Sequence, residues 1–595
     1  MAATARDLLA DRGYAADPIY LTDLDRVTPA SALATELRPR TWQTLPYETE
    51  HLRGVLLWAG FESQAPAVSY PLDRRGWHAI SVGFHPTTED QGWLEQVLVK
   101  LSGDDTYSML RWEPPRGLDG HERRLRFEEL FWRVAKLDGQ DLVFEQITRR
   151  LAAGDGPGTV QGESTKIAYV KLVPLSDAEA AAHERDLRDA STRRLFGHND
   201  AFYPYTYRTT TAEEIRREVE PYRETDFGRI YWEVGGGDKL YYDTAVGRNP
   251  ADLDLQGYSR LGERLLVESF REFRRKGIDP VDVALRHTHD LGMEFHASYR
   301  LAAWTYPPTT MEGYFTGGYF ERHPELHCID RQGRILPRLS YAFPETQEFC
   351  LAVLREMAAY PVDGVALLFN RRPPYLDYEA PLVESFTREF GEDPHDLDER
   401  DPRWLAHRAA VLTAFMRRLR AEMDAASAAR QGKRIGISVC VLGTQADNDF
   451  FGLDVATWAR EGLIDTLIPY SPAPLALPVA EDTWNSGEQI QPFVEAVRGT
   501  PCLMAPNLMP RDLSAEDYRR MASMLYGAGA EHLFVWDCAG SWFRANHQSH
   551  WNALRRLGHR DEIEAWRQGG EPSLANPTIP LRTLGGWDMT TIAPG

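Results

Sequence analysis

The chain has 595 residues, 43% hydrophobic and 26% charged, an ordinary composition for folded domains. A formal charge of −21 repels phosphate backbones and argues against a nucleic-acid partner. No apolar run approaches the about 18 residues a membrane span needs, and Met1-Ala2-Ala3-Thr4-Ala5-Arg6-Asp7 has no signal-peptide core, so the expectation for the chain as given is cytoplasmic, with no membrane partner.

Residues 1 to about 50 read as a Pro-containing arm on a first domain. From about 51 to 175 the pattern is β: Val55–Trp58, Trp77–Val82, Val97–Leu101, Phe131–Leu137, Leu142–Phe144 and Ile167–Val173 are short strands without intervening helices. Asp138-Gly139 between two of them predicts a hairpin. Strands in this order imply an antiparallel sandwich, jelly-roll-like. Ser176-Asp177-Ala178-Glu179 is a capping box opening an Ala- and Glu-rich linking helix. The boundary falls near 195.

Beyond it, strands alternate with helices, which means a parallel sheet. The predicted strands begin with Arg229–Val234 and Met293–Ala297, then Val365–Phe369 and Ile435–Cys440. Thr466–Pro469, Cys502–Ala505 and His532–Trp536 complete seven, and an eighth is not obvious. Helices are expected at about 258–275, 280–290, 404–429 and 514–527. The fold class is therefore multidomain β and α/β: an N-terminal antiparallel β-sandwich over 1–195, a (β/α)8 TIM-type barrel over 196–575, and a C-terminal extension over 576–595. Ile579–Arg582 in that extension reads as a strand returning to a neighbouring sheet. Cys328, Cys350, Cys440, Cys502 and Cys538 are scattered without a CxxC pair, as reduced thiols are.

Barrel sites lie at the C-terminal ends of the strands. Asp363, Asp465 and Glu531 precede strands and read as structural. Glu233 and Asp537 come at or after strand ends; Asp447 and Asp449, and Asp377 and Glu379, lie in loops that follow strands. Glycosidic cleavage commonly uses two carboxylates, one protonated and one ionised, and Asp537 with Glu233 is the expected pair. His296, Tyr299 and Arg300 offer an imidazole, a phenol and a guanidinium to a ligand, joined by Asn370 and Arg371. Tyr470, Trp536 and Asp449 complete the expected substrate-binding set. Trp232, Tyr241, Tyr242, Trp304, Tyr306, Tyr375 and Trp542 are further aromatics on which sugar rings could stack. His287, His289 and His296 raise metal binding as a rival, but His287 and His289 are two apart on a helix and face different ways. No metal or other cofactor is expected, and Gly235-Gly236-Gly237-Asp238 lacks phosphate-loop spacing and reads as a tight turn.

Ala284–Trp304 with Gly292–Ala297, His323-Pro324-Glu325 with Asp330–Gly333 and Leu339–Ala342, and Val362-Asp363-Gly364-Val365 resemble the glycoside hydrolase-like (family-ten-like) TIM-barrel proteins. Gly452–Val455 with Trp458, and Gly462–Asp465, extend the resemblance over about 200–545. It implies a glycosidase-like barrel carried with a β-sandwich. The family pattern often has acids in the strand after Asp-Gly, whereas here Ala366–Asn370 has none, which leaves glycan binding without hydrolysis open. The first reading is a glycoside hydrolase acting on an oligosaccharide or glycoside. The alternatives are a non-hydrolytic carbohydrate-binding barrel and a barrel lyase or isomerase. Sugar, linkage and oligomeric state are not legible.

Overall fold

The computed structural model describes residues 15–60, 63–86, 95–112, 125–151, 159–162, 164–206, 209–254, 261–305, 314, 317–371, 373–430, 432–470, 484–508, 515–536, 551, 553–569 and 576–591. The N-terminal part holds two larger antiparallel sheets, apart from one short parallel pairing at an edge, and a separate two-stranded one of Thr148–Leu151 with Thr159–Gly162. Trp42–Thr49, Arg53–Ala59, Arg75–Phe84, Arg126–Asp138 and Thr165–Pro174 belong to the first. Val68–Pro71, Glu95–Leu101, Ser108–Trp112 and Asp141–Glu145 form the second. Period-two alternation sends Leu57, Val82, Leu130 and Val170 of one sheet, and Val68, Val99, Leu110 and Phe144 of the other, into one buried cluster.

Two features differ from a simple sandwich. Asp138-Gly139 does not close a hairpin. Arg126–Asp138 pairs with Arg75–Phe84, whereas Asp141–Glu145 pairs with Val68–Pro71 and Glu95–Leu101 of the other sheet. Gly139 supplies the left-handed residue (φ +82°) that a turn needs, but the turn carries the chain between layers. The second feature is the strand Thr578–Leu584. It pairs with Arg126–Glu128 on one side and Tyr47–Thr49 on the other, so the C-terminal extension joins two strands of the first sheet and closes it on itself. A separate buried cluster of Tyr47, Phe127, Tyr169 and Leu581 forms there.

The linking helix spans Asp177–Arg188. Its capping box is formed: Glu179 N–H donates to the Ser176 hydroxyl (3.3 Å), and Ser176 N–H to the Glu179 carboxylate (2.7 Å).

Eight parallel strands then form the barrel: β1 (Leu195–Asn199), β2 (Phe227–Gly236), β3 (Glu294–Arg300), β4 (Gly364–Leu368), β5 (Gly436–Val441), β6 (Thr466–Pro469), β7 (Leu503–Met504) and β8 (Leu533–Trp536). β8 pairs with β1, and one parallel bridge, Asn507 to Phe534, spans the gap between β7 and β8. The strand not obvious in the sequence is β1. It reads Leu-Phe-Gly-His-Asn, so it has little apolar signature, yet all five residues are buried. Helices cover the outside, among them Leu261–Lys276, Pro280–Asp290, Pro402–Ala429 and Ala515–Gly527.

Alternation sorts the barrel's side chains into two cores. Ile230, Trp232, Val365, Leu367 and Val439 face outward under the helices. Phe196, Tyr231, Ala366, Leu368, Cys440, Ile468, Phe534 and Trp536 face inward and fill the ring. The four cysteines Cys328, Cys350, Cys440 and Cys502 are buried and free, while Cys538 lies outside the described residues. Lower in the barrel the filling is polar. Arg229 donates to Glu294 (2.7 Å), the Tyr231 hydroxyl (3.1 Å) and Thr466 Oγ1 (2.8 Å), with its guanidinium 4.4 Å above the Phe196 ring. Tyr231 in turn meets Ser438 Oγ at 3.0 Å. Asp363 and Asp465 staple strands from below: their carboxylates accept Phe295 N–H (2.9 Å) and Ile437 N–H (2.8 Å). No helix among the described residues is long and apolar enough to cross a membrane.

A buried ionic clip fastens the linking helix to the barrel. His559 Nε2 meets Asp186 and its Nδ1 meets Asp226, each at 2.7 Å. Asp226 also accepts the backbone N–H of Gly558 (2.8 Å). Gly558 leaves no room for a side chain, since a Cβ there would lie 1.9 Å from Thr192 O. Burial alone would lower the imidazole's pKa, but the two carboxylates outweigh it and hold His559 at about 10. A raised histidine pKa adds stability that is fully present below about pH 6.5 and lost as pH rises through the folded value. His559→Gln is therefore expected to cost about 3 kcal/mol at pH 6, with the difference from wild type shrinking to near zero by pH 10, as urea unfolding across that range would record. Arg229→Met removes four hydrogen bonds from the barrel interior. It should also cost about 3 kcal/mol, without that pH dependence.

Candidate functional site at the barrel mouth

The upper layer of the barrel brings together side chains from six strand ends. Glu233, near the end of β2, is 2% exposed. A register shift between Glu233 and Gly235 marks where β2 leaves regular pairing with β3. Arg300 closes β3 and clamps two carboxylates: its Nε donates to Glu233 Oε2 (2.6 Å) and its Nη2 to Asp200 Oδ2 (2.7 Å). Asp200 directly follows β1. His198, on the inner side of β1, has Nε2 at 4.0 Å from Glu233 Oε2. Its ring stacks on Trp536 with centroids 3.9 Å apart and planes 18° apart. Tyr470, just after β6, meets Trp536 edge-on at 5.3 Å. Arg371, just after β4, carries its guanidinium 4.8 Å above the same indole. Asn370 beside it is 7% exposed, and neither its Oδ1 nor its Nδ2 has a hydrogen-bond partner.

Glu233, Arg300, Asn370, Arg371, Tyr470 and Trp536 were all expected from the sequence, and all stand at this end of the barrel. Trp536 differs from the expectation in one respect. It is fully buried, under the His198 ring and the Arg371 guanidinium, so its face is not an open platform for a sugar. Asp537 follows β8 directly and lies outside the described residues, as do Tyr306 and Trp542.

The trio expected from His296, Tyr299 and Arg300 is not formed, because neighbouring strand residues face opposite ways. His296 points inward two residues below Ser298, deep in the barrel, where its Nδ1 meets Ser438 Oγ at 3.1 Å. Burial, helped by the Arg229 and Lys433 charges, holds its pKa well below the usual histidine range, so the ring is neutral. Tyr299 faces outward into the core beneath the helices and donates to Gly237 O (2.8 Å). Asp449 is exposed on the short helix Gln445–Phe450 and accepts from Gln445 (2.6 Å).

The remaining acids and aromatics have structural partners. Asp447 lies in the first turn of that same helix, where its N–H donates to the capping Thr444 hydroxyl and its carboxylate accepts from it. Glu379 is fully buried and accepts the N–H groups of Ile329 and Asp377. Burial pushes the Asp377 pKa up to about 7 against the opposing charge of Arg408, 3.3 Å away. Trp232, Tyr241, Tyr242, Trp304 and Tyr375 are core residues under the helices. The three histidines of the metal reading bond to separate partners, His287 to Glu220, His289 to Asp363 and His296 to Ser438. Gly235 and Gly236 end β2 and the tight turn follows at Gly237-Asp238: Gly235 (φ +130°) passes so near Lys239 that a Cβ would lie 2.2 Å from its carbonyl oxygen.

His198 and Asp200 escaped the sequence reading because β1 did. Once a strand is placed at Leu195–Asn199, the rule that sites follow strand ends selects both.

Comparison with known proteins adds the following. No curated protein matches the chain. Among solved structures, the glycoside hydrolase domain of PgaB (BpsB) from Bordetella bronchiseptica matches with 12% identity and a TM-score of 0.38, over 63% of this chain and 97% of that one. The catalytic domain of β-amylase from Paenibacillus polymyxa matches with 10% identity and a TM-score of 0.39, over 62% and 98%. The α-galactosidase TtGalA from Thermus thermophilus matches with 12% identity and a TM-score of 0.32, over 87% and 92%. Residues 258–489, from the helix before β3 to beyond β6, match the family described as glycosyl hydrolase-like 10, the family that the sequence resembles.

Proposed function

We propose that this protein is a glycoside hydrolase acting on an oligosaccharide or glycoside at the mouth of its barrel, with the N-terminal sheets as an accessory sandwich. The observation that carries this is Glu233: a buried carboxylate at a barrel strand end, fixed by Arg300 and flanked by an imidazole. The family match over 258–489 supports the same class. A carboxylate that accepts a charge-assisted hydrogen bond from a guanidinium is oriented to act as base or nucleophile. The proton for the leaving oxygen then comes from a second acid, for which Asp537, next along from Trp536, is the proposed residue. Arg300, Asn370, Arg371 and Tyr470 position the sugar.

One observation favours the second reading, a barrel that binds glycan without cleaving it. Asp200 and Glu233 are both engaged by a single guanidinium, so neither is free to donate a proton.

The test is hydrolysis of a panel of nitrophenyl glycosides and oligosaccharides by wild type, Glu233→Gln, Asp537→Asn and Asp200→Asn, each checked for folding by near-UV circular dichroism. Glu233→Gln and Asp537→Asn should each lower kcat by about 10²–10⁴, and Asp200→Asn, which only loosens the clamp, by about tenfold. Turnover that survives both of the first two substitutions would remove these residues from the mechanism. Glycan binding by wild type with no turnover on any substrate would select the second reading.

A further inference from the structure

The two guanidiniums at the mouth are in opposite electrostatic situations. Arg300 faces two carboxylates, at 2.6 and 2.7 Å, and its charge is more than balanced. Arg371 has no carboxylate within ion-pairing distance among the described residues, and its Nε has no hydrogen-bond acceptor. What holds it is the face of Trp536, a contact that orients a cation without neutralising it. The Trp536 indole N–H is also without an acceptor. Asn370, the next residue back along the chain, adds one more unmatched donor and one unmatched acceptor.

Position makes these groups a set. Leu368 is in the inner core of the barrel and Phe369 in the outer one, so alternation turns Asn370 back to the inner side. Arg371 crosses from β4 towards β8, where Trp536 lies, and its charge is felt at Cys440 on β5. The mouth therefore presents a cation and three unmatched donors, Arg371 Nε, Trp536 Nε1 and Asn370 Nδ2, against one unmatched acceptor, Asn370 Oδ1. In a chain with a net charge of −21, a mouth guanidinium with no ion-pair partner among the described residues is unusual. Buried donors are rarely left without acceptors, and an oxyanion supplies both the missing charge and the missing acceptors.

We infer that Arg371, oriented by Trp536 and assisted by Asn370, is the specificity determinant for an anionic sugar, one whose ring bears a carboxylate, as in a uronic-acid-containing oligosaccharide. This rests on the carbohydrate reading of the mouth. It adds that the residue bound next to Glu233 is acidic, with its carboxylate on Arg371 and a ring hydroxyl on the Asn370 amide. Arg300 is not the anion receptor, since Asp200 and Glu233 already occupy it.

The experiment is titration calorimetry of the full chain with glucuronate- and galacturonate-containing oligosaccharides, as free acids and as their methyl esters, alongside neutral glucose and galactose oligosaccharides. The ester keeps the ring and removes the charge. Wild type should bind a free acid at least about tenfold more tightly than its ester, with affinity falling as sodium chloride is raised. Arg371→Gln should bring acid and ester to within about twofold, and Arg371→Lys, which keeps the charge but loses the fork, should fall between them. Both variants should keep the wild-type near-UV circular dichroism spectrum and should lose more affinity for the acid than for the ester, which separates lost recognition from lost folding. Equal binding of acid and ester by wild type, or neutral glycans bound with the acids ignored, would overturn the anionic assignment and leave the carbohydrate reading standing. No binding of any glycan would overturn both.

Discussion

A ring of eight parallel strands encloses a space that only its own side chains can fill, and this requirement governs the barrel. The upper half is filled by apolar and aromatic residues such as Leu368, Ile468, Phe534 and Trp536. The lower half is filled by an arginine. Arg229 is buried there, and that is tolerable because Glu294, Thr466 and the Tyr231 hydroxyl take its hydrogen bonds while Phe196 lies under its plane. The network ties β2, β3 and β6 directly, and β5 through Ser438. The Arg229 charge also adds to the burial that keeps His296 neutral. At the top, among the described residues, Asn370, Arg371 Nε and Trp536 Nε1 are left without hydrogen-bond partners.

The same alternation decides which parts of the site could be read in advance. A strand end is visible when the strand is apolar enough to be seen, and β2, β4, β6 and β8 all are. Glu233, Asn370, Arg371, Tyr470 and Trp536 follow from them by one rule. Leu195–Asn199 carries glycine, histidine and asparagine in a five-residue strand, so its signal is lost, and with it His198 and Asp200. Within β3 the difficulty was different. His296, Tyr299 and Arg300 are close in the chain, but the pleat sends Tyr299 to the outer face and leaves four residues of rise between His296 and Arg300. Only Arg300 reaches the mouth. Asp138-Gly139 shows the corresponding limit in the first domain: a turn dipeptide specifies the local bend, not which strand the chain pairs with afterwards.

The two halves of the molecule are fastened at the chain's ends as well as at its middle. Thr578–Leu584 passes back from the barrel to complete the first sheet. Close to that return, the His559, Asp186, Asp226 and Arg556 cluster holds the linking helix. Two covalent passages and one buried ionic clip leave the N-terminal sheets little freedom to reorient. The clip joins Asp226, one residue before β2, so the strand that carries Glu233 is anchored from below by the same contacts.

The arrangement at the top follows from how charge is shared there. Arg300 could serve as an anion receptor only by giving up Glu233 or Asp200, and giving up either leaves a carboxylate unpaired beside a second one. Holding both, it fixes Glu233 while spending its own binding capacity. Trp536 likewise could be a stacking surface only if it were exposed, but His198 and Arg371 cover it. Its part is then indirect: it sets the plane of Arg371. Among the described residues, the mouth guanidinium with no carboxylate within ion-pairing distance is Arg371, which follows β4. The lack of an acid from Ala366 to Asn370, which from sequence alone counts against catalysis, leaves Arg371 without a carboxylate from its own strand.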